Sequence, residues 1–137
     1  MTTWPMIERL VVTRADHRCE YCRMHQIMQG ATFHIEHIIP RSRGGATLPE
    51  TLALACPSCN LHKADRIAVS DSETGTTTAL FHPREQAWPD HFEWRDLTVV
   101  GRTSTGRATI AALQLNAPRR LLVRQAEQQC GLFPPRV

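Results

Sequence analysis

The sequence predicts an α+β fold, a small metal-stapled core followed by an α/β extension, and three observations predict it. Two C-x-x-C pairs occur, Cys19-Glu20-Tyr21-Cys22 and Cys56-Pro57-Ser58-Cys59, with residues 23–55 between them. Within that interval, residues 31–39 (ATFHIEHII) alternate like a strand, and Leu52-Ala53-Leu54-Ala55 read as a second strand. After Ser70 the composition shifts to a turn-rich connector, SDSETGTTTA. The expected division is therefore a core over residues 1–69 and an extension over 70–137 that packs on it.

The elements follow in order. Residues 5–17 (PMIERLVVTRADH) read as an amphipathic helix leading into the first C-x-x-C pair, with Pro5 suited to a first turn. In the strand over 31–39, Phe33, Ile35 and His37 are expected on one face and Thr32, His34 and Glu36 on the other. Pro40 to Pro49 form a loop. Pro57 opens a helix to about Arg66, starting inside the second pair. Farther on, Leu80–Pro83 and Leu97–Val100 are strand candidates. Ser104 or Thr105 caps a helix over 106–116, and Pro118 opens another through about Gln129, ended by Gly131. No repeat or low-complexity tract interrupts the chain.

Composition excludes several classes. The hydrophobic content of 42% and charged content of 21% fit a globular chain rather than a disordered one. No apolar run approaches the ~20 residues of a membrane span. The start, MTTWPMIERL, lacks the basic-then-apolar pattern of a secretory signal, so a soluble cytoplasmic protein is expected. The net charge of +3 permits a nucleic-acid partner without requiring one. All basic residues except Lys63 are arginines. Arginine's planar fork suits phosphate, although GC-rich coding favours arginine as well. Basic residues divide evenly between 1–69 and 70–137, so neither segment marks itself as a DNA clamp.

Two C-x-x-C pairs without a secretory signal read as a tetrahedral structural zinc site of Cys19, Cys22, Cys56 and Cys59. The two-residue gap lets both thiolates of a pair face one metal. Structural disulfides are disfavoured in a reducing compartment, and a redox C-x-x-C motif needs no twin. Cys130 is left over as a semi-buried free thiol.

The stretch FHIEHIIPRSRGG (33–45) is unlike a core strand. Glu36 and His37 are adjacent at its end, and the helix from Pro57 carries Asn60, Leu61, His62 and Lys63. A phosphodiesterase can use this set. A carboxylate with a second oxygen or nitrogen ligand holds a hard divalent cation, and a neutral histidine accepts a proton from water.

CEYC, HIEHIIPRSRGG and LALACPSCNLHKAD together resemble the HNH endonucleases over roughly residues 5–68. Residues 78–135 look more vaguely like an extension of bacterial stand-alone members. The resemblance implies a ββα-metal, treble-clef-like core with His37 as general base. It implies Glu36 and Asn60 as ligands of a catalytic divalent cation (Mg²⁺, Mn²⁺ or Ni²⁺), the four cysteines as ligands of a structural Zn²⁺, and Lys63 at the phosphate. His62 competes with Asn60 for the second metal position. At 100° per residue, Asn60 and Lys63 share a side of the helix, which favours Asn60. His34 can line the site, and Arg41 and Arg43 can touch DNA phosphates. One position departs from the family pattern: Thr51 stands where the family has an asparagine that holds the loop and orients the base. The implied function is metal-dependent hydrolysis of DNA, expected to be double-stranded. The alternative is a non-catalytic, zinc-stabilised nucleic-acid-binding module whose centre is degenerate at Thr51. Oligomeric state is left open.

Overall fold

The computed structural model describes residues 2–136. Helix α1 (Trp4–Arg14) leads into the first C-x-x-C pair, hereafter the first knuckle. It stops short of the expected residue 17 because Asp16 and His17 both take left-handed backbone, φ 55° and 59°. Only Val11 of this helix is buried, and Trp4, Met6 and Leu10 remain exposed. Arg14 ties the helix end inward by donating to the Leu52 carbonyl at 2.6 Å.

Strands β1 (His34–His37) and β2 (Leu52–Ala55) form an antiparallel hairpin with His34 opposite Ala55 and His37 opposite Leu52. The expected strand over 31–39 thus contracts to four paired residues. Burial varies along each of the expected faces. Glu36, placed with His34, is 7% exposed, whereas His34 is open to solvent and Ile35 and His37 are half-buried. Every residue of β2 is buried. Its outer edge is satisfied by Glu20, whose N–H donates to the Leu54 carbonyl at 2.8 Å and whose carboxylate accepts from the Leu54 N–H at 2.9 Å.

Helix α2 (Pro57–Lys63) starts on the second knuckle. Cys56 is its N-cap and its sulfur accepts from the Cys59 N–H. It is shorter than the expected run to residue 66, because Ala64 turns to φ 51°. The chain continues through β3 (Ala68–Ser70) and β4 (Thr77–Ala79), an antiparallel pair. The expected division after residue 69 falls inside β3, so no break in the backbone marks it. Leu80–Pro83, expected as a strand, is irregular. Phe81 instead donates its N–H to Thr109 Oγ1 at 2.9 Å.

Next come α3 (Trp88–His91), the antiparallel pair β5 (Phe92–Arg95) and β6 (Thr98–Gly101), α4 (Ser104–Leu113) and α5 (Pro118–Gln129). Thr103, one residue ahead of the expected cap, caps α4 by accepting from the Gly106 N–H. Cys130 is exposed rather than semi-buried, since it lies just beyond α5 where the chain leaves the core.

One buried cluster joins the two halves. It contains Val11, Tyr21, Met24, Phe33, Leu52 and Leu54 together with Phe81, Trp88, Phe92, Val99, Leu113 and Leu115. Trp88 stacks on Phe92 at 4.9 Å and lies 5.1 Å from Trp94, while its indole N–H donates to the Tyr21 carbonyl at 3.0 Å. Polar ties run the same way. Arg84 pairs with Glu20, His25 N–H donates to Glu127 at 2.7 Å, and Arg18 donates to the Leu132 carbonyl at 2.6 Å. Among the described residues, no helix is long and apolar enough to cross a membrane.

Trp88→Ala removes a 3%-exposed indole that both halves share. The expected loss is about 3–5 kcal/mol of unfolding free energy, read from denaturant titration followed by far-UV circular dichroism.

Candidate functional site

The knuckles come together behind the hairpin. Cys19, Cys22, Cys56 and Cys59 are buried, and their sulfur atoms all lie within 4.8 Å of one another. The sulfurs of Cys22 and Cys56 are 3.8 Å apart. A tetrahedron with Zn–S bonds of about 2.3 Å has edges of about 3.8 Å, so the spacing fits a structural zinc. In each knuckle the backbone N–H of the second cysteine points at the first sulfur, at 3.5 Å for Cys22 to Cys19 and 3.4 Å for Cys59 to Cys56. Burial pushes the Cys19 and Cys59 thiols up. Hydrogen bonds from the other three thiols, helped by Arg120, hold Cys56 far down.

Arg120, from α5, is the member of this centre that sequence reasoning missed. It is 5% exposed, and its guanidinium lies 3.4 Å from Cys59 Sγ and 3.7 Å from Cys56 Sγ while donating to the Leu113 carbonyl at 2.8 Å. Four thiolates around one dication carry a net −2, and a buried guanidinium offsets half of it. The sequence signal was an Arg-Arg pair in the first turn of a helix, where basic residues are disfavoured by the helix dipole.

On the front of the hairpin, the loop from Pro40 to Thr51 folds back over the end of β1. Gly44 takes φ +85°, and at Gly45 a Cβ would collide with the Ile39 carbonyl oxygen, so PRSRGG needs both glycines. Arg41 and Arg43 are exposed on this loop, although Arg43 Nε donates to the Asp65 carbonyl at 2.8 Å. His37 is half-buried, and its Nε2 lies 2.8 Å from Thr47 Oγ1. Partial burial, and then Arg41, draw its pKa below the usual histidine value, which favours the neutral ring at pH 7.

Thr51 explains how Thr47 reaches His37. The Thr51 hydroxyl accepts from the Leu48 N–H at 3.0 Å and lies within donating distance of the Ala46 and Leu48 carbonyls, at 2.7 and 3.0 Å. It thereby pins the backbone on both sides of Thr47. Thr47 was invisible in the sequence because an exposed loop threonine carries no signature.

Glu36 and Lys63 depart most from expectation. Tyr21, wholly buried between the zinc-site cysteines of the first knuckle, donates its phenol to Glu36 Oε1 at 2.6 Å. Burial, then the Glu36 charge, hold the Tyr21 pKa well up, so it remains a donor. Lys63 Nζ lies 3.2 Å from Glu36 Oε2 as an ion pair and donates to the Ile38 carbonyl at 2.9 Å. That Lys–Glu contact is out of hydrogen-bond alignment, so Oε2 has no hydrogen bond. Lys63 is 1% exposed and cannot reach a DNA phosphate from there, which corrects the role expected for it. Burial raises the Glu36 pKa against the opposing pull of Lys63 and Tyr21.

Asn60 is half-buried on α2, and among the described residues its side-chain amide makes no hydrogen bond. His62 turns elsewhere. Its Nδ1 bonds the Ser58 carbonyl at 2.7 Å, and it lines a cavity of about 480 Å³ shared with Arg119 and Arg120 of α5. His34 stands exposed at the far end of β1. The arrangement therefore brings His37, Thr47 and Glu36 to one end of the hairpin and sets His62 and His34 apart from it.

Two antiparallel strands and a helix, with a cysteine pair before the strands and another at the start of the helix, define a ββα unit whose four-cysteine cluster is compatible with structural zinc. Residues 19–66, about a third of the chain, match the family model of the HNH endonuclease. This similarity points to a nuclease or nucleic-acid-binding function. No curated protein and no solved structure matches the chain.

Purified protein is expected to hold one zinc per chain by elemental analysis, and stripping it with a strong chelator should unfold both halves in a single transition. Arg120→Gln is expected to weaken zinc retention about 10- to 100-fold, measured by competition with a chromogenic chelator.

Proposed function

We propose that the chain is a metal-dependent endonuclease that hydrolyses phosphodiester bonds of double-stranded DNA. The observation that carries the reading is the junction of β1 with its loop. There a neutral, oriented histidine stands next to a carboxylate whose Oε2 lacks a hydrogen bond. A carboxylate together with an unpaired amide such as that of Asn60 suits a hard divalent cation, which at Glu36 would take the place of the Lys63 ammonium now 3.2 Å from Oε2. Glu36 and Asn60 would hold Mg²⁺, Mn²⁺ or Ni²⁺ here.

When bound, the cation supplies Lewis-acid polarisation of the phosphate and neutralises charge on the departing oxygen. His37 acts on the water. With Nε2–H donating to Thr47, Nδ1 keeps its lone pair and accepts a proton as the water oxygen attacks phosphorus. The P–O3′ bond breaks, leaving a 5′-phosphate. Thr47 and Thr51 together take over the holding and orienting tasks that an asparagine performs in the family pattern. Arg41 and Arg43, exposed on the loop that follows His37, would meet DNA phosphates.

A plasmid-nicking assay with Mg²⁺, Mn²⁺ or Ni²⁺ tests the reading. Cleavage abolished by EDTA and lowered about 10²- to 10⁴-fold in His37→Ala is the expected result. Zinc-loaded, folded protein that retains DNA without cutting it under any of these metals would instead identify a binding module with a degenerate centre. Thr47→Val is expected to lower the rate less than His37→Ala does, because it releases the ring without removing it.

A further inference from the structure

We propose that the cavity between α2 and α5 is a docking site for an acidic, amphipathic segment of a partner protein. Apolar side chains of that segment enter the cavity, and one of its carboxylates pairs with Arg119. The site lies at the Ala55–Cys56 end of the hairpin, whereas His37 stands opposite Leu52 at the other end, so it holds whether or not the chain cuts DNA.

The cavity, of about 480 Å³, has apolar walls from Met24, Pro57, Ala117 and Val123 and reaches Cys56. Its charged lining is entirely cationic, Arg119 and Arg120, with no carboxylate. The two arginines differ. Arg120 is buried against the sulfurs of Cys56 and Cys59, so its charge is already engaged. Arg119 is exposed, and among the described residues its side chain makes no hydrogen bond or ion pair. It sits in the first turn of a 12-residue helix, whose dipole adds to the positive potential. The rim is apolar. Leu61, Ile27 and Leu122, at 74, 72 and 67% exposure, are the three most exposed large apolar side chains of the described residues. Leu61 lines the cavity, and Leu122 lies one helical turn beyond Arg119. Ile27 belongs to the turn Gln26–Met28, which packs on α5 and leads into Gln29 of the wall. A small molecule would fill the cavity and leave Ile27 and Leu122 in water. A DNA backbone would meet one uncommitted cation set among apolar side chains, too little charge to hold it. A protein segment with apolar anchors and a flanking acid fills the cavity, covers the rim and neutralises Arg119 together, as a helix laid in a groove does.

Panning the zinc-loaded full chain against a phage library of random dodecapeptides tests this site. The expected yield is sequences that combine Leu, Ile, Phe or Met with Asp or Glu. By fluorescence anisotropy, Leu61→Gln and Arg119→Glu should each bind the best of these peptides about 10-fold or more weakly, with zinc content and circular dichroism unchanged. Replacing the peptide's acid by lysine should restore binding to Arg119→Glu and not to Leu61→Gln, a charge reversal that a role in packing alone would not show. Any DNA cleavage by the unmodified protein should be unchanged in both variants. No enrichment over uncoated beads, enrichment without an acidic bias, or binding indifferent to both variants would overturn the proposal. So would a dimer, seen by light scattering, that Leu61→Gln or Leu122→Gln dissociates, since the face then belongs to a second copy of the chain. Loss of duplex-DNA affinity in Arg119→Glu without any peptide binding would likewise overturn it and assign the face to DNA.

Discussion

Four sulfur atoms within 4.8 Å of one another, shut away from water, are the constraint on which the structure depends. As thiols they would give only weak hydrogen bonds to one another. As thiolates they would repel strongly in a medium of low polarity. A dication such as zinc would resolve the conflict, with Arg120 placed to offset part of the remaining charge. Little else local can hold the arrangement. Strands β1 and β2 have four residues each and α2 has seven, lengths at which hairpins and helices are marginal alone. The extension contributes the guanidinium, the Trp88 bond to Tyr21 and about a third of the shared core. It therefore belongs to the stability of the centre as much as the knuckles do.

The front of the hairpin uses the same economy of short elements. His37 is oriented by a loop threonine, and that loop is closed by Thr51. The carboxylate beside it is gripped from both cysteine-bearing segments, through Tyr21 on the first knuckle and Lys63 on the helix. Charge burial explains why lysine stands there. A lone buried carboxylate is expensive to keep ionised, and a buried ammonium that also satisfies the Ile38 carbonyl offsets that expense.

Much of this was legible in the sequence, and the reasons differ by element. The second strand and the last helix matched the expected Leu52–Ala55 and Pro118–Gln129 because a continuous apolar run and a proline start leave little choice. The knuckles were legible because metal geometry restricts spacing. The edges of α1 and α2 were not, because left-handed turns at Asp16, His17 and Ala64 end them without glycine or proline to mark the place. The interior position of Glu36 and Lys63 was hidden for a deeper reason. Each is ordinarily a surface residue, and only the pairing of the two, brought together across 27 positions of chain, makes burial tolerable. Arg120 acts 61 positions from Cys59 and Thr47 acts 10 positions from His37, both too far for a local pattern to announce them.

The spacing of the knuckles also has a consequence for how the chain can vary. A metal that joins Cys22 to Cys56 closes a loop containing the whole hairpin, and such a crosslink removes about 3–4 kcal/mol of conformational entropy from the unfolded chain. It does so without a disulfide, reversibly and under reducing conditions. Loop-closure entropy grows only with the logarithm of length, roughly 0.6 kcal/mol per doubling. The segment between Pro40 and Thr51 can therefore lengthen at little expense to the fold, as long as the turn at Gly44 and Gly45 and the grip of Thr51 are kept. The part of the molecule placed to meet a substrate is thus also the part whose size the metal crosslink leaves most free.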